Sequence, residues 1–244
     1  MLKAIDKDIW TAEQSFRYFG IDIGTRMTIV RLADGELAVI SPIKADNKTI
    51  GQINKLGVVA HIIAPNLYHY LFAADFHALY PDALFWAAPG LKAKAPHLTI
   101  DRTIDGESDK LWNGLEASPI EGFRTVSFDG FDALNECVFF HNKSRTLILT
   151  DAAFHFDESF PITTRLAARA IGSYQNLSPS LLEKFATTDK KKVAASIEKI
   201  LRWDFERVIM AHGSIVEREG KKKLRQNYEK GTSINQYWLK QSLI

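Results

Sequence analysis

The chain has 244 residues, 46% hydrophobic and 25% charged, enough apolar material for a substantial core in a single domain spanning residues 1–244. Its 31 Lys and Arg nearly balance 29 Asp and Glu, and a net charge of +2 gives no general case for nucleic acid as a partner. One cysteine, Cys137 in an apolar run, excludes an intramolecular disulfide and a cysteine-rich zinc cluster. No stretch nears the ~20 apolar residues that span a bilayer, and no apolar signal region follows Met1. The expectation is a cytoplasmic protein with no membrane partner; the sequence assigns no oligomeric state.

In chain order, Arg26 to Leu32 and Leu37 to Ile40 are apolar runs separated by Ala33-Asp34-Gly35-Glu36. Asp-Gly between such runs predicts a hairpin. Ser41-Pro42 ends the second strand. Asp46 or Asn47 caps a short helix carrying Ile50, Ile53 and Leu56 on one face, with Gly57 as its stop. Val58 to Ile63 reads as a strand, Tyr70 to Leu79 as a helix and Ala83 to Ala87 as a strand. Lys92 to Ser118 is mixed and polar, with no assignment. Phe123 to Phe128, Cys137 to Phe140 and Thr146 to Leu149 read as strands, the last two joined by a turn from His141 to Arg145.

Beyond Asp151 the chain turns helical. Thr163 to Ile171 is one helix, and Ser178-Pro179 caps and starts another. Thr188 with Asp189 opens a third, with Val193, Ile197, Ile200 and Leu201 on one stripe. The runs Lys190 to Lys192 and Lys221 to Lys223 fall on helices as solvated faces. Arg207 to Met210 is the last strand, and Ser214-Ile215-Val216-Glu217 has the form of a capping box for a C-terminal helix. An opening β-meander, an alternating middle and a late helix–strand–helix passage indicate an α/β (α+β) domain with helix-covered sheets.

Three polar residues close apolar runs of strand length. His69 follows the run ending at Ile63, Asp151 the run ending at Leu149, and His212 the run ending at Met210. Strand ends hold side chains steady, and two imidazoles with a carboxylate form a donor set for zinc or iron. Asn66 reads as a loop-structuring amide and His61 as a core histidine. His77 and His97 read as surface residues, and His141 as part of a turn. His155 stands out only by its closeness to Asp151. Glu136 either points into the cleft or pairs with Arg145 across the hairpin. No nucleophile elbow, P-loop or dinucleotide-binding glycine motif is present, and Ile21 to Thr25 reads as a loop.

With Leu149-Thr150-Asp151 and Ala211-His212-Gly213, the chain resembles the metallo-β-lactamase superfamily, in which such strand ends carry a bridging aspartate and a final histidine. The resemblance implies a four-layered αβ/βα sandwich. The family's hallmark His-x-His-x-Asp-His falls on Pro65-Asn66-Leu67-Tyr68-His69-Tyr70, where Pro65 and Leu67 have no donor. Its next histidine falls near Asp129 to Asp132, where Asp129 or Asp132 could offer an oxygen. The first metal site is therefore lost, and the resemblance implies a second site of His69, Asp151 and His212, with Tyr70 a weak fourth ligand.

The implied activity is metal-dependent hydrolysis of a small ester or lactone at a mononuclear zinc or iron site. Asp151 and His212 would belong to the catalytic machinery, the substrate would be a small molecule, and a helix N-terminus after His212 would help hold an anionic group. The alternative is a non-catalytic binding or scaffold protein with no metal, its polar residues paired with one another. A redox role with iron ranks last, because no flavin-binding domain accompanies the fold.

Overall fold

The computed structural model describes residues 1–104, 112–127, 130–187 and 189–231. Phe128, Asp129, Thr188 and residues 105–111 of the unassigned polar segment lie outside the described residues.

The first half of the chain runs β1 (Lys3–Asp6), β2 (Ile9–Gln14), a small hairpin of β3 (Arg17–Tyr18) and β4 (Ile21–Asp22), β5 (Thr25–Arg31) and β6 (Leu37–Ile40). It continues through α1 (Asn47–Leu56), β7 (Val59–Ala64), α2 (Ala73–Leu79), β8 (Leu84–Ala87), α3 (Leu91–Lys94) and β9 (Arg102–Thr103). Seven of these strands form one sheet in the order β1-β2-β5-β6-β7-β8-β9. Pairing is antiparallel as far as β6 and parallel from β6 to β9.

The second half runs β10 (Leu115–Pro119), the hairpin β11 (Arg124–Ser127) and β12 (Gly130–Ala133), β13 (Cys137–His141) and β14 (Thr146–Ile148). Then come α4 (Ile162–Ala170), α5 (Leu181–Ala186), α6 (Lys190–Ile200), β15 (Arg207–Ile209) and α7 (Gly220–Gly231). Its sheet has the order β10-β13-β14-β15, with β14 and β15 parallel.

Side-chain alternation at period two explains the layering. On β5, Met27 and Ile29 face α1, α2 and α3, while Val30 faces the other sheet. On β13, Cys137 and Phe139 face the first sheet, while Val138 and Phe140 pack with Val193 and Ile197 of α6 and Leu224 of α7. Both faces of each sheet are covered, so the central strands read as unbroken apolar runs. The result is the expected four layers: helices, sheet, sheet, helices.

The hairpin of β5 and β6 forms as the Asp-Gly signal predicts, and Asp46 caps α1 by accepting from the Thr49 N–H at 2.7 Å. Three boundaries differ from expectation. Residues expected to open the helix at Tyr70 lie in a tight turn, and α2 starts at Ala73. Ser178 is taken up by a bridge to Phe154 and a bond from its hydroxyl to the Gly172 carbonyl, so Ser180 caps α5 instead. The Ser214-to-Glu217 segment caps nothing: Val216 pairs with Val208, and the last helix begins at Gly220. A Cβ at Gly220 would lie 2.7 Å from the Glu206 carbonyl oxygen, which is why that helix can start against β15. No helix among the described residues is long and apolar enough to cross a membrane.

Candidate metal centre

The parallel strands β6, β7, β14 and β15 end along one edge of the sandwich, where loops from both sheets meet. This is the edge at which open α/β sheets present ligand-binding side chains. Beyond β7, the Pro65 carbonyl accepts from the Cys137 N–H at 2.7 Å, locking the loop of the first sheet to the second. Asn66, fully buried, then folds the chain back: its Oδ1 accepts from the N–H groups of Tyr68 (2.8 Å) and His69 (2.7 Å). That Asx turn is why the helix cannot begin at Tyr70, and it aims His69 at the second sheet.

The Asn66 amide reaches across to Asp151 Oδ2 at 2.8 Å and to Thr150 Oγ1 at 3.0 Å. Beneath them lies Glu136, with no exposed surface. Its two carboxylate oxygens accept the N–H groups of Thr150 (2.7 Å) and Asp151 (2.8 Å), the donors left free where β14 ends. Glu136 is thus the support of Asp151, and the expected pairing with Arg145 does not occur. Arg145 bonds to Asp204 at 3.0 Å instead.

His212 follows β15 in a loop held by Arg26, a guanidinium only 7% exposed. Arg26 donates to the carbonyl oxygens of Met210 and Gly213 (2.7 Å for the latter) and pairs with Glu13 at 2.8 Å. Gly213 has φ +98°, and a Cβ there would come within 2.2 Å of the His155 carbonyl oxygen. Only glycine fits this turn.

The three candidates converge. His69 Nε2 lies 3.2 Å from His212 Nε2 and 3.3 Å from Asp151 Oδ2, and His212 Nε2 lies 3.5 Å from Asp151 Oδ1. Each imidazole is anchored through its other nitrogen. His212 Nδ1 donates to the Gly24 carbonyl at 2.5 Å, so its Nε2 presents a lone pair; His69 Nδ1 bonds to Ser41 Oγ at 2.8 Å. Such outer bonds fix the tautomer and tilt of a ligating histidine. Phe16 and Phe154 stack on the His212 ring with centroids at 6.0 and 6.2 Å, walling that side off from water.

The electrostatics follow from burial. Burial pushes the Glu136 carboxyl up to about 7, helped by the negative charge of Asp151. Burial also opposes charge on Asp151, but the charge and hydrogen bond of His69 outweigh it and hold Asp151 at about 2. His69 is raised, because Asp151 more than offsets its burial, whereas burial lowers His212 to about 4. The pocket is therefore built for one positive charge opposite Asp151, which a proton on His69 or a metal ion can supply. Ligands about 2.0–2.1 Å from a tetrahedral ion are separated by about 3.3 Å. With Asp151 Oδ1 as the oxygen donor the three separations are 3.2, 3.4 and 3.5 Å, close to that edge, so the three residues could hold an ion.

The remaining sequence candidates fall elsewhere. Asp132 accepts from the Tyr68 hydroxyl at 2.9 Å, and Tyr70 packs against the core of the first sheet. His155 contributes its backbone carbonyl, which accepts the Ser214 N–H at 2.6 Å. His61 accepts from the Trp86 indole at 3.1 Å, and His141 is buried against Ser144 Oγ. The helix N-terminus expected beside His212 is absent, since α7 starts at Gly220. Arg26, Ser41 and Gly24 escape the sequence reading. Only Arg26 leaves a trace there, as a charge inside an apolar strand.

The architecture is the metallo-β-lactamase fold. The chain is similar to the DIM-1 metallo-β-lactamase exposed to ceftazidime, at 12% identity and TM-score 0.63 over 95% of this chain and 97% of that one. It is similar to the metallo-β-lactamase of Erythrobacter litoralis at 12% identity and TM-score 0.64, covering 94% and 96% of the two chains. FIM-1 of Pseudomonas aeruginosa in its mono-zinc form matches at 13% identity and TM-score 0.60 over 94% and 95%. At these identities the likeness establishes the fold. By sequence, the chain belongs to the family described as Domain of unknown function (DUF4336), whose model matches residues 6–180. His69 and Asp151 lie inside the matched stretch and His212 beyond it. No curated protein matches the sequence.

Proposed function

We propose that this protein is a metal-dependent hydrolase acting on a small ester or lactone, with His69, Asp151 and His212 holding a single ion. The observation that carries the reading is the set of donor separations, 3.2 to 3.5 Å, with each imidazole anchored through its far nitrogen. Two nitrogens and one oxygen suit zinc, and the mono-zinc form of FIM-1 supports a one-ion site on this fold. When bound, the ion supplies Lewis acidity toward a carbonyl oxygen and lowers the pKa of water to roughly 7. Asp151 stays ionised and charge-matched to the ion, Glu136 holds its backbone N–H, Asn66 holds its carboxylate, and Arg26 fixes the loop of His212. Phe16 and Phe154 keep bulk water from one side of the pocket, which strengthens every charge interaction within it.

A second reading, a non-catalytic binding protein, is favoured by Pro65 and Leu67, which lack donors where the resemblance places the first metal site, and by the His69–Asp151 contact at 3.3 Å. Metal content by plasma emission spectrometry, on protein purified without a metal-affinity tag, separates the two. The hydrolase reading expects near-stoichiometric zinc, lost in His212→Ala together with any ester or lactone hydrolysis. Absence of metal after incubation with zinc would overturn it and leave the binding protein.

A further inference from the structure

We infer that the face beside this site docks on an anionic lipid surface. Four elements meet there. The β3–β4 hairpin carries Tyr18 and Phe19, β12 carries Phe131, α4 carries Ile162 and Leu166, and α5 carries Leu181 and Phe185. All seven side chains are exposed, Phe19 by 70% and Phe185 by 80%. The elements are joined: Phe131 and Phe185 have ring centroids 6.1 Å apart, and Thr164 of α4 donates to the Asp22 carbonyl of β4 at 2.7 Å. The Leu181 N–H donates to the Ile171 carbonyl at the end of α4. The hairpin begins at Arg17, directly after Phe16, whose ring stacks on His212. The patch therefore adjoins the metal centre through the hairpin.

The charges among these side chains select the occupant. Arg17 and Arg169 are exposed, and Arg124, Arg165 and Lys184 are half-buried. Of the acidic groups on these elements, Glu183 is 8% exposed and accepts from Ser180 and Thr125, while Asp22 and Asp132 are half-buried and hydrogen-bonded. Asp22 accepts from Ser15 and the Gly24 N–H, and Asp132 accepts from Tyr68. Protruding aromatic and aliphatic side chains set among long cations match a bilayer interface, where rings enter the headgroup layer and cations meet phosphate. A protein-binding patch is instead poor in charge at its centre. No single run of the sequence announces this face, because its residues are scattered from 18 to 185 and meet only in the fold.

The inference is independent of hydrolysis and is tested without it. In flotation with vesicles, the full chain should bind mixed phosphatidylglycerol–phosphatidylcholine and bind far less to phosphatidylcholine alone. High salt should weaken the association. The double variant Phe19→Ser/Phe185→Ser should lose at least about tenfold in vesicle affinity while keeping its melting temperature. Val58→Ser, 71% exposed at the opposite end of β7, should bind like the parent. Failure to float with either vesicle overturns the inference, as does equal binding by the double variant. Concentration-dependent dimers abolished by the same two substitutions would also overturn it, assigning the face to a second copy.

Discussion

Asn66→Ala removes a buried side chain that makes four hydrogen bonds of 3.0 Å or less. Two leave backbone N–H groups of Tyr68 and His69 without an acceptor, at about 1–3 kcal/mol each where water cannot reach. A third takes the amide donor from the ionised Asp151, a charge-assisted bond worth about 1.5–3 kcal/mol. Water entering from the cleft restores part of this, so the net loss should be on the order of 4 kcal/mol, a large share of the about 5–15 kcal/mol that holds a typical domain folded. Urea unfolding of metal-free protein at neutral pH measures it through the shift in midpoint at constant m. The same variant should bind zinc more weakly, because His69 and Asp151 both lose their common support. A loss under about 1 kcal/mol would refute the idea that Asn66 organises the pocket.

Gly213→Ala should destabilise by more than about 2 kcal/mol, since the new Cβ meets the His155 carbonyl oxygen and the residue must keep φ at +98°; thermal unfolding reads it, and a neutral result would contradict the turn geometry. Zinc affinity should fall about tenfold per pH unit as pH drops below the raised pKa of His69, because the ion must displace that proton. Asp151 at about 2 and His212 at about 4 add nothing in this range, so calorimetry showing constant affinity from about pH 6 to 8 would rule the exchange out. Glu136 binds a proton more readily folded than unfolded between its ordinary value of 4.5 and about 7, so its contribution to stability falls as pH rises through that window. His212 acts oppositely from about 4 to 6.5, favouring the fold as pH rises. Glu136→Gln should therefore unmask a steeper gain in stability with pH over that interval, measured by urea midpoints; an unchanged slope would mean Glu136 does not titrate there.

His69 lies five residues past β7 and is brought back by the Asn66 turn, whereas Asp151 and His212 were legible as candidates because each sits two residues beyond an apolar run, and buried strands tolerate polar groups only at their ends. The central strands were legible for the same reason. By contrast, β1 and β2 are absent from the sequence reading, since Lys3 to Asp6 is a largely exposed edge strand with no apolar alternation to betray it. The capping errors share one cause. Ser178 and Ser214 have the chemistry of caps, but tertiary bridges to Phe154 and His155 claim their backbones first. Glu136 was ambiguous because nothing local distinguishes a carboxylate supporting the end of β14 from one facing solvent. Gly24 and Ser41 act through a carbonyl and a hydroxyl brought near by folding, and no spacing rule reports that.

His69 hangs from the first sheet, together with the Gly24 and Ser41 groups that tilt both rings, whereas Asp151 and His212 ride on the second. A chain still being synthesised carries only part of this constellation until residues 207–213 lie down beside β14. An unfinished or half-docked copy has scattered donors and no trap. Because neither sheet alone carries the full donor set, an ion bound here would tie the two sheets together and stabilise their docking.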